Sequence, residues 1–218
     1  MNPCHHPSEL ILLAHAAGRL DTGPALVVAS HLAACPDCRR ETALAEALGG
    51  TLLEALSAAD LAPDALARAL AAVERPVEAT RADRAAPAAG VAVDDWIEVP
   101  AEVLGAFRLR RRWAAPGVWV APVTHGPGRR RSYLLRVAAG MSVPRHGHAG
   151  SEFVCVLKGA YVDRGVTHGR GDFAENDDDV DHRPEVTADG ECICLICADA
   201  PLIPRDWVGR LFQPLVRI

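Results

Sequence analysis

Three residues within eight positions, His31, Cys35 and Cys38 in SHLAACPDC, carry the strongest chemical signal at the front of the chain. Two thiolates and an imidazole at His-x3-Cys-x2-Cys spacing can converge on one ion, and zinc favours such nitrogen and sulfur sets in tetrahedral geometry. If a helix ends near His31, Cys35 lies close to the same face, and Pro36 starts a new helix that brings Cys38 back one turn later. A structural site wants a fourth donor. Cys4, His5 and His6 stand at the start of the chain, where a helix hairpin returns them to this junction, and spacing leaves the choice among them open. Such a clip contributes folding energy directly, which matters for a small module with few aromatic residues.

The second constellation lies in GMSVPRHGHAGSEFVCVLKG, from Gly140 to Gly159, and reads Gly-x5-His-x-His-x3-Glu-x6-Gly. On an extended segment His146 and His148 point to the same face, and Glu152 has the matching parity. Gly140 and Gly159 allow turns at either end. The pattern is identified as the first cupin motif. The resemblance implies a further histidine from a neighbouring strand after a Gly-Asp turn, a role that Gly171, Asp172 and Phe173 followed by His182 and Pro184 fill in degenerate form. Three imidazoles and a carboxylate bind zinc, iron, manganese or nickel, so the cupin site is expected to hold zinc or another divalent metal.

Other reactive residues carry blander readings. His15, His125 and His168 have no ligand partners at useful spacing and read as packing or surface residues. The acidic run Asp177, Asp178, Asp179 and Asp181 reads as a solvated loop. Cys192 and Cys194 alternate on ECICLIC, so their sulfurs face one way and Cys197 the other; strand packing is the first reading and a redox or metal-proximal role the second.

The elements that must position these residues fall into two textures. From Ser8 to about Arg75, apolar residues recur at helical spacing in ELILLAHAAGRL, GPALVVASHLAA, RRETALAEALGGTLLEAL and PDALARALAAVE, which predicts four helices. Asp21, Gly23 and Pro24 separate the first two, Pro36 opens the third, and Asp60 before Pro63 offers a cap and first-turn proline for the fourth. Residues 76–93 lose the periodicity and read as a linker. After Asp94 come short runs such as VWVAPV, SYLLRVAAG, EFVCVLKGAYV and ECICLICA, broken by Pro and Gly, as in a β-sandwich or barrel. The expected fold class is α+β in two domains: a small all-α helical zinc-binding domain over residues 1–75, and an all-β cupin barrel over 94–218.

Bulk composition narrows the function classes. Of 218 residues, 50% are hydrophobic and 23% charged, enough for packed cores. The formal net charge is −5, and neither half carries a basic field: residues 1–93 hold 7 Arg against 11 acidic residues, and the remainder 16 basic against 17 acidic. Arg108, Arg110, Arg111 and Arg112, and Arg129, Arg130 and Arg131, therefore read as solvated surface, and direct nucleic-acid binding is not expected. No apolar run approaches the roughly 20 residues of a membrane span, and MNPCHHPSEL lacks the pattern of a signal peptide. A cytoplasmic protein without membrane contact is expected, and its seven cysteines read as metal or redox chemistry before disulfides.

A leading His followed by His-x3-Cys-x2-Cys between short helices resembles the zinc-binding anti-sigma domain, and on that family's pattern the fourth ligand is His6. Followed by a cupin, and with Cys-x-Cys on a late strand, the whole chain is similar to the ChrR type of anti-sigma factor. The resemblance implies a transcription regulator, not an enzyme. Its front domain binds and sequesters a sigma factor of the extracytoplasmic-function (ECF) group. Its cupin domain releases that partner on oxidative stress of the singlet-oxygen or peroxide type. The implied ligand sets are His6, His31, Cys35 and Cys38 for zinc in front, and His146, His148, Glu152 and His182 behind. The alternative is a cupin dioxygenase using iron at the rear set.

Overall fold

The computed structural model describes residues 2–74, 91–93, 97–99, 112–123 and 131–205. The expected linker up to Gly90, His125, and the arginines 108, 110, 111, 129 and 130 lie outside the described residues.

Four helices occupy the front: α1 (Glu9–Ala16), α2 (Thr22–Ala34), α3 (Pro36–Glu54) and α4 (Ala65–Glu74). Their breaks have local causes. Gly18, at φ 63, ends α1 in the left-handed conformation that glycine adopts without strain. Cys35 closes α2 and caps α3, its Sγ accepting from Cys38 N–H at 3.4 Å, and Pro36 takes the first position of α3. Pro63 and Asp64 form the turn that leads into α4, so Asp60 stands a few residues before the helix and does not cap it.

The remainder is β. A short pair, β1 (Val91–Val93) and β2 (Ile97–Val99), precedes β3 (Arg112–Ala115), β4 (Val118–Val123), β5 (Arg131–Val137), β6 (His146–Gly147) and β7 (Glu152–Lys158). There follow β8 (Tyr161–Asp163), β9 (Val166–His168), β10 (Phe173–Asn176), β11 (Asp181–His182), β12 (Glu185–Val186), β13 (Cys192–Ala198) and β14 (Ile203–Pro204). A six-stranded sheet runs β10-β7-β13-β5-β4-β3, and two three-stranded sheets, β11-β6-β14 and β12-β8-β9, complete the cupin-like domain. Among the described residues no ladder joins the three sheets into a continuously paired barrel.

The large sheet is covered on both faces, which explains why CICLICA on β13 is buried at every position. Its inner face gives Val154, Val156, Tyr133, Cys192, Cys194 and Ile196 to a core closed by Tyr161 and Val186. Its outer face gives Leu134, Phe153, Cys155, Ile193, Leu195 and Cys197 to a second core that Leu12, Leu26, Val27 and Val28 of the helices complete. Helix α2, with Leu12 of α1, is thus packed against the sheet. Among the described residues, no helix is long and apolar enough to cross a membrane.

Candidate metal centres

The front cluster is assembled from a chain end and one helix junction. His31 in the last turn of α2, Cys35 between the helices and Cys38 in the first turn of α3 are buried, and the more exposed His6 closes the set; their donor atoms lie within 4.8 Å of one another. His6 Nδ1 stands 3.5 Å from Cys35 Sγ and 3.3 Å from Cys38 Sγ. The edge between a nitrogen and a sulfur ligand of a tetrahedral zinc is about 3.6 Å, given ordinary bond lengths. His31 Nδ1 donates to the Gly171 carbonyl at 2.7 Å, which leaves Nε2 as the lone-pair atom facing the thiols. That Nε2 is buried and has no hydrogen-bond partner among the described residues. An orphaned acceptor beside two thiols is the electronic arrangement a soft cation satisfies, so the residues fit a zinc ion. Burial lowers the His31 pKa and pushes the Cys38 thiol up to about 12, so without a metal both groups rest uncharged.

The β-domain supplies the frame around that cluster. Asp172 Oδ1 accepts from Cys4 N–H at 2.6 Å and His5 N–H at 3.0 Å, fixing the two residues before His6. Burial opposes ionisation of Asp172, but donation from the Gly169, His5 and Cys4 amides outweighs it and holds the carboxyl below its ordinary range. Gly171, at φ 89, is where the two parts touch: a Cβ there would meet Pro3 at 2.7 Å and Ala34 at 2.9 Å.

The rear cluster joins His146 and His148 of the β6 segment with His182 of β11, all buried. Pairing of β11 with β6 sets His182 opposite His146. His182 Nε2 lies 3.0 Å from His146 Nε2 and 3.0 Å from His148 Nε2. His146 Nδ1 donates to the Pro144 carbonyl at 2.8 Å and His182 Nδ1 to Asp163 Oδ2 at 2.9 Å, so both Nε2 atoms present lone pairs to one another. Such contacts repel unless a cation lies between them, and burial pushes His146 and His148 down to about 4, which disfavours a proton in that place. Edges near 3.0 Å match nitrogens about 2.1 Å from a metal and about 90° apart. The trio fits a divalent ion with further coordination positions open.

Glu152 heads β7, across the Gly150 corner at φ 105 from the two histidines. The three residues therefore meet through a change of sheet, and the parity of a single strand does not account for it. Its Oε2 stands 3.6 Å from His148 Nε2 and accepts from Asn176 Nδ2 at 3.0 Å, which holds it a step outside the trio. Burial raises its pKa to about 7. A cavity of about 60 Å³ opens beside these residues, lined by Tyr133, Val154, Tyr161, Ile196, Cys192 and Cys194. The Cys192 and Cys194 sulfurs are 3.7 Å apart and face it, whereas Cys197 faces the helices.

Of the alternatives at the chain start, His6 joins the cluster; Cys4 is exposed, and His5 Nδ1 pairs with Asp172 Oδ2 at 3.2 Å. His15 is half-buried near Glu46, and His168 stacks on Tyr161 with ring centres 4.9 Å apart. The acidic loop is exposed at Asp177, Asp178 and Asp179, and Asp181 pairs with Arg145 and Arg205. Sequence reasoning missed Asp163, Asp172 and Asn176, which orient ligands or their backbone from a distance along the chain. No local pattern marks them, although Asp172 lies in the Gly-Asp turn already singled out.

Comparison with known proteins shows the same pairing of parts. The ChrR Cupin-like domain family matches residues 109–200. The anti-sigma-E factor ChrR of Cereibacter sphaeroides is 36% identical over 218 residues, 98% of either chain. The crystal structure of Rhodobacter sphaeroides SigE in complex with the anti-sigma ChrR contains a chain 33% identical to this one, with a TM-score of 0.73 over 91% of this chain and 100% of that one. An RmlC-like cupin protein from Ralstonia eutropha covers 46% of this chain and 69% of its own at 24% identity and a TM-score of 0.42. A relative of 36% identity that runs the length of both chains places this protein in the ChrR family of anti-sigma factors, regulators rather than enzymes.

Proposed function

We propose that this chain sequesters an ECF-type sigma factor through its front helices, in the cytoplasm, and releases it when the cupin domain meets an oxidant of the singlet-oxygen or peroxide class. Residues 1–75 form the sigma-binding module in this reading, 76–93 the linker and 94–218 the sensor. The observation that carries it is an unburied apolar surface. On α3, Leu44, Leu48 and Leu52 recur at four-residue spacing with 57% or more of their surface exposed, and on α4 Leu66, Leu70 and Val73 follow at steps of four and three with 56% or more exposed. Stripes of this kind mark a protein interface, and helices that lay them on a partner bury its binding surface.

When bound, zinc at His6, His31, Cys35 and Cys38 supplies a cross-link between chain start and helices, and a divalent ion at His146, His148 and His182, with Glu152 as a fourth ligand, supplies an electrophilic centre beside the cavity. The residues do the rest. Asp163 and the Pro144 carbonyl hold the imidazoles in one tautomer, and the apolar lining excludes bulk water. Cys192 and Cys194 place two oxidisable sulfurs within reach of a small molecule in the same cavity. Release follows if oxidation there favours a state of lower sigma affinity.

The test is binding of the zinc-loaded full chain to its sigma factor by calorimetry, beside Leu48→Glu and Leu70→Glu. Each exposed leucine is expected to cost about tenfold or more in affinity at unchanged melting temperature. Parent-like affinity in both variants would remove the helices as the docking surface.

A further inference from the structure

The β-domain contributes hydrogen bonds to a cluster whose ligands all belong to the front module, and one short strand carries those bonds. At its leading end, Asp172 Oδ1 accepts from the Cys4 and His5 amides, and the Gly171 carbonyl accepts from His31 Nδ1 at 2.7 Å. Phe173 N–H donates to the His5 carbonyl at 3.0 Å, and Ser8 N–H donates to Glu175 Oε1 at 2.7 Å. The chain start, His6 included, is thus tied along β10. At the other end of the strand Asn176 pairs with Glu152 across the β10–β7 ladder and donates to its carboxylate at 3.0 Å. That carboxylate lies 3.6 Å from His148. Asp172 and Asn176 are four residues apart, about 13 Å of extended chain.

We propose that Asp172 is a positioning residue for the front metal centre and that β10 links its position to Glu152 at the rear centre. This rests on reading the front cluster as a metal site. The orientation of His6 then depends on a residue outside the front module, because the two amides before it have one carboxylate oxygen as their acceptor. The orientation of His31 depends on the neighbouring carbonyl of Gly171. A shift of Glu152 or Asn176 moves one end of a strand whose other end holds both ligands. The strand is anchored to β7 through Val156, which accepts from Gly171 N–H at 2.7 Å and donates to the Asp172 carbonyl at 3.0 Å, so it moves as a unit.

The test uses the full chain loaded with cobalt(II). Its thiolate charge-transfer absorption reports the front centre alone, since the rear trio has no sulfur ligand, and competition with a chelator gives the affinity. Asp172→Ala is expected to weaken front-site cobalt binding about 10- to 100-fold. Asp172→Asn keeps an oxygen for the Cys4 and His5 amides and recovers most of the loss. Asn176→Ala is expected to shift front-site affinity about fivefold, and to have no such effect when Asp172 is already alanine. Unchanged affinity in Asp172→Ala, or no recovery in Asp172→Asn, overturns the positioning role. Additive effects of the two alanines overturn the link, and if Asp172→Ala does not fold, parent-like affinity in Asn176→Ala does so alone. A parent chain with no thiolate absorption at all contradicts the metal-centre reading itself, a different failure from parent-like variants.

Discussion

The front cluster draws its donors from a chain end and a helix junction and leaves His6 exposed, whereas the rear cluster sets three buried imidazoles among the β-strands. In front, two thiols stand among the donors, and a metal bound there would hold secondary structure together, because short helices bury little surface of their own. Behind, the sheets are held by ladders and two apolar cores. The difference teaches that, on the proposed reading, metal would be a folding element in one place and the occupant of a preformed cavity in the other. The proposed function divides the labour likewise, with partner binding on the helices and sensing in the cavity.

The comparison breaks most visibly at the thiols. Cys35→Ser with Cys38→Ser should remove one metal per chain and abolish sigma binding, a loss of at least about 1,000-fold, because structural zinc contributes on the order of 10 kcal/mol or more to folding. Metal analysis with a pull-down checks it, and a double variant that still binds tightly would erase the distinction. Acid should separate the centres next. Thiol ligands must shed protons to bind, and the Cys38 thiol is pushed up to about 12 by burial, so front-site affinity should fall on the order of 100-fold per pH unit between pH 7.5 and 5.5. His146 and His148, pushed down to about 4 by burial, stay unprotonated through that window. Glu152, raised to about 7, adds at most about tenfold per unit if it coordinates, so acidification should weaken the front centre more steeply than the rear one. Metal release followed by pH titration reads the two slopes.

How much of this was legible in the sequence depends on where the information sits. His31, Cys35 and Cys38 are near neighbours in the chain, and helix geometry with Pro36 brings them together, so spacing alone announces them. His146 and His148 are equally local. His182 depends on β11 pairing with β6, which the degenerate Gly-Asp turn hinted at without a register. Asp163, Asp172 and Asn176 were invisible because they act on groups 19 to 168 residues away along the chain, as Asp163 does on His182 and Asp172 on Cys4. The packing of helices on the sheet had one trace, the unbroken apolar run on β13, which a strand with a solvated face would not show.

Two smaller effects sharpen the contrast. Asp163→Asn removes the carboxylate that orients His182 and should weaken the rear metal about 10- to 100-fold while leaving front-site cobalt absorption in place. His146→Ala with His148→Ala should empty the rear site yet change resting sigma affinity only about fivefold or less, and blunt release by oxidant. Full loss of sigma binding in that variant, with its fold intact, would mean that the rear centre takes part in docking.

The central claim is that metal in front makes the sigma-binding surface. It is tested most directly by measuring affinity of the full chain for its sigma factor before chelation, after complete metal removal and after return of zinc alone. Loss on removal and recovery with zinc is the predicted result; tight binding by the metal-free chain would contradict the account.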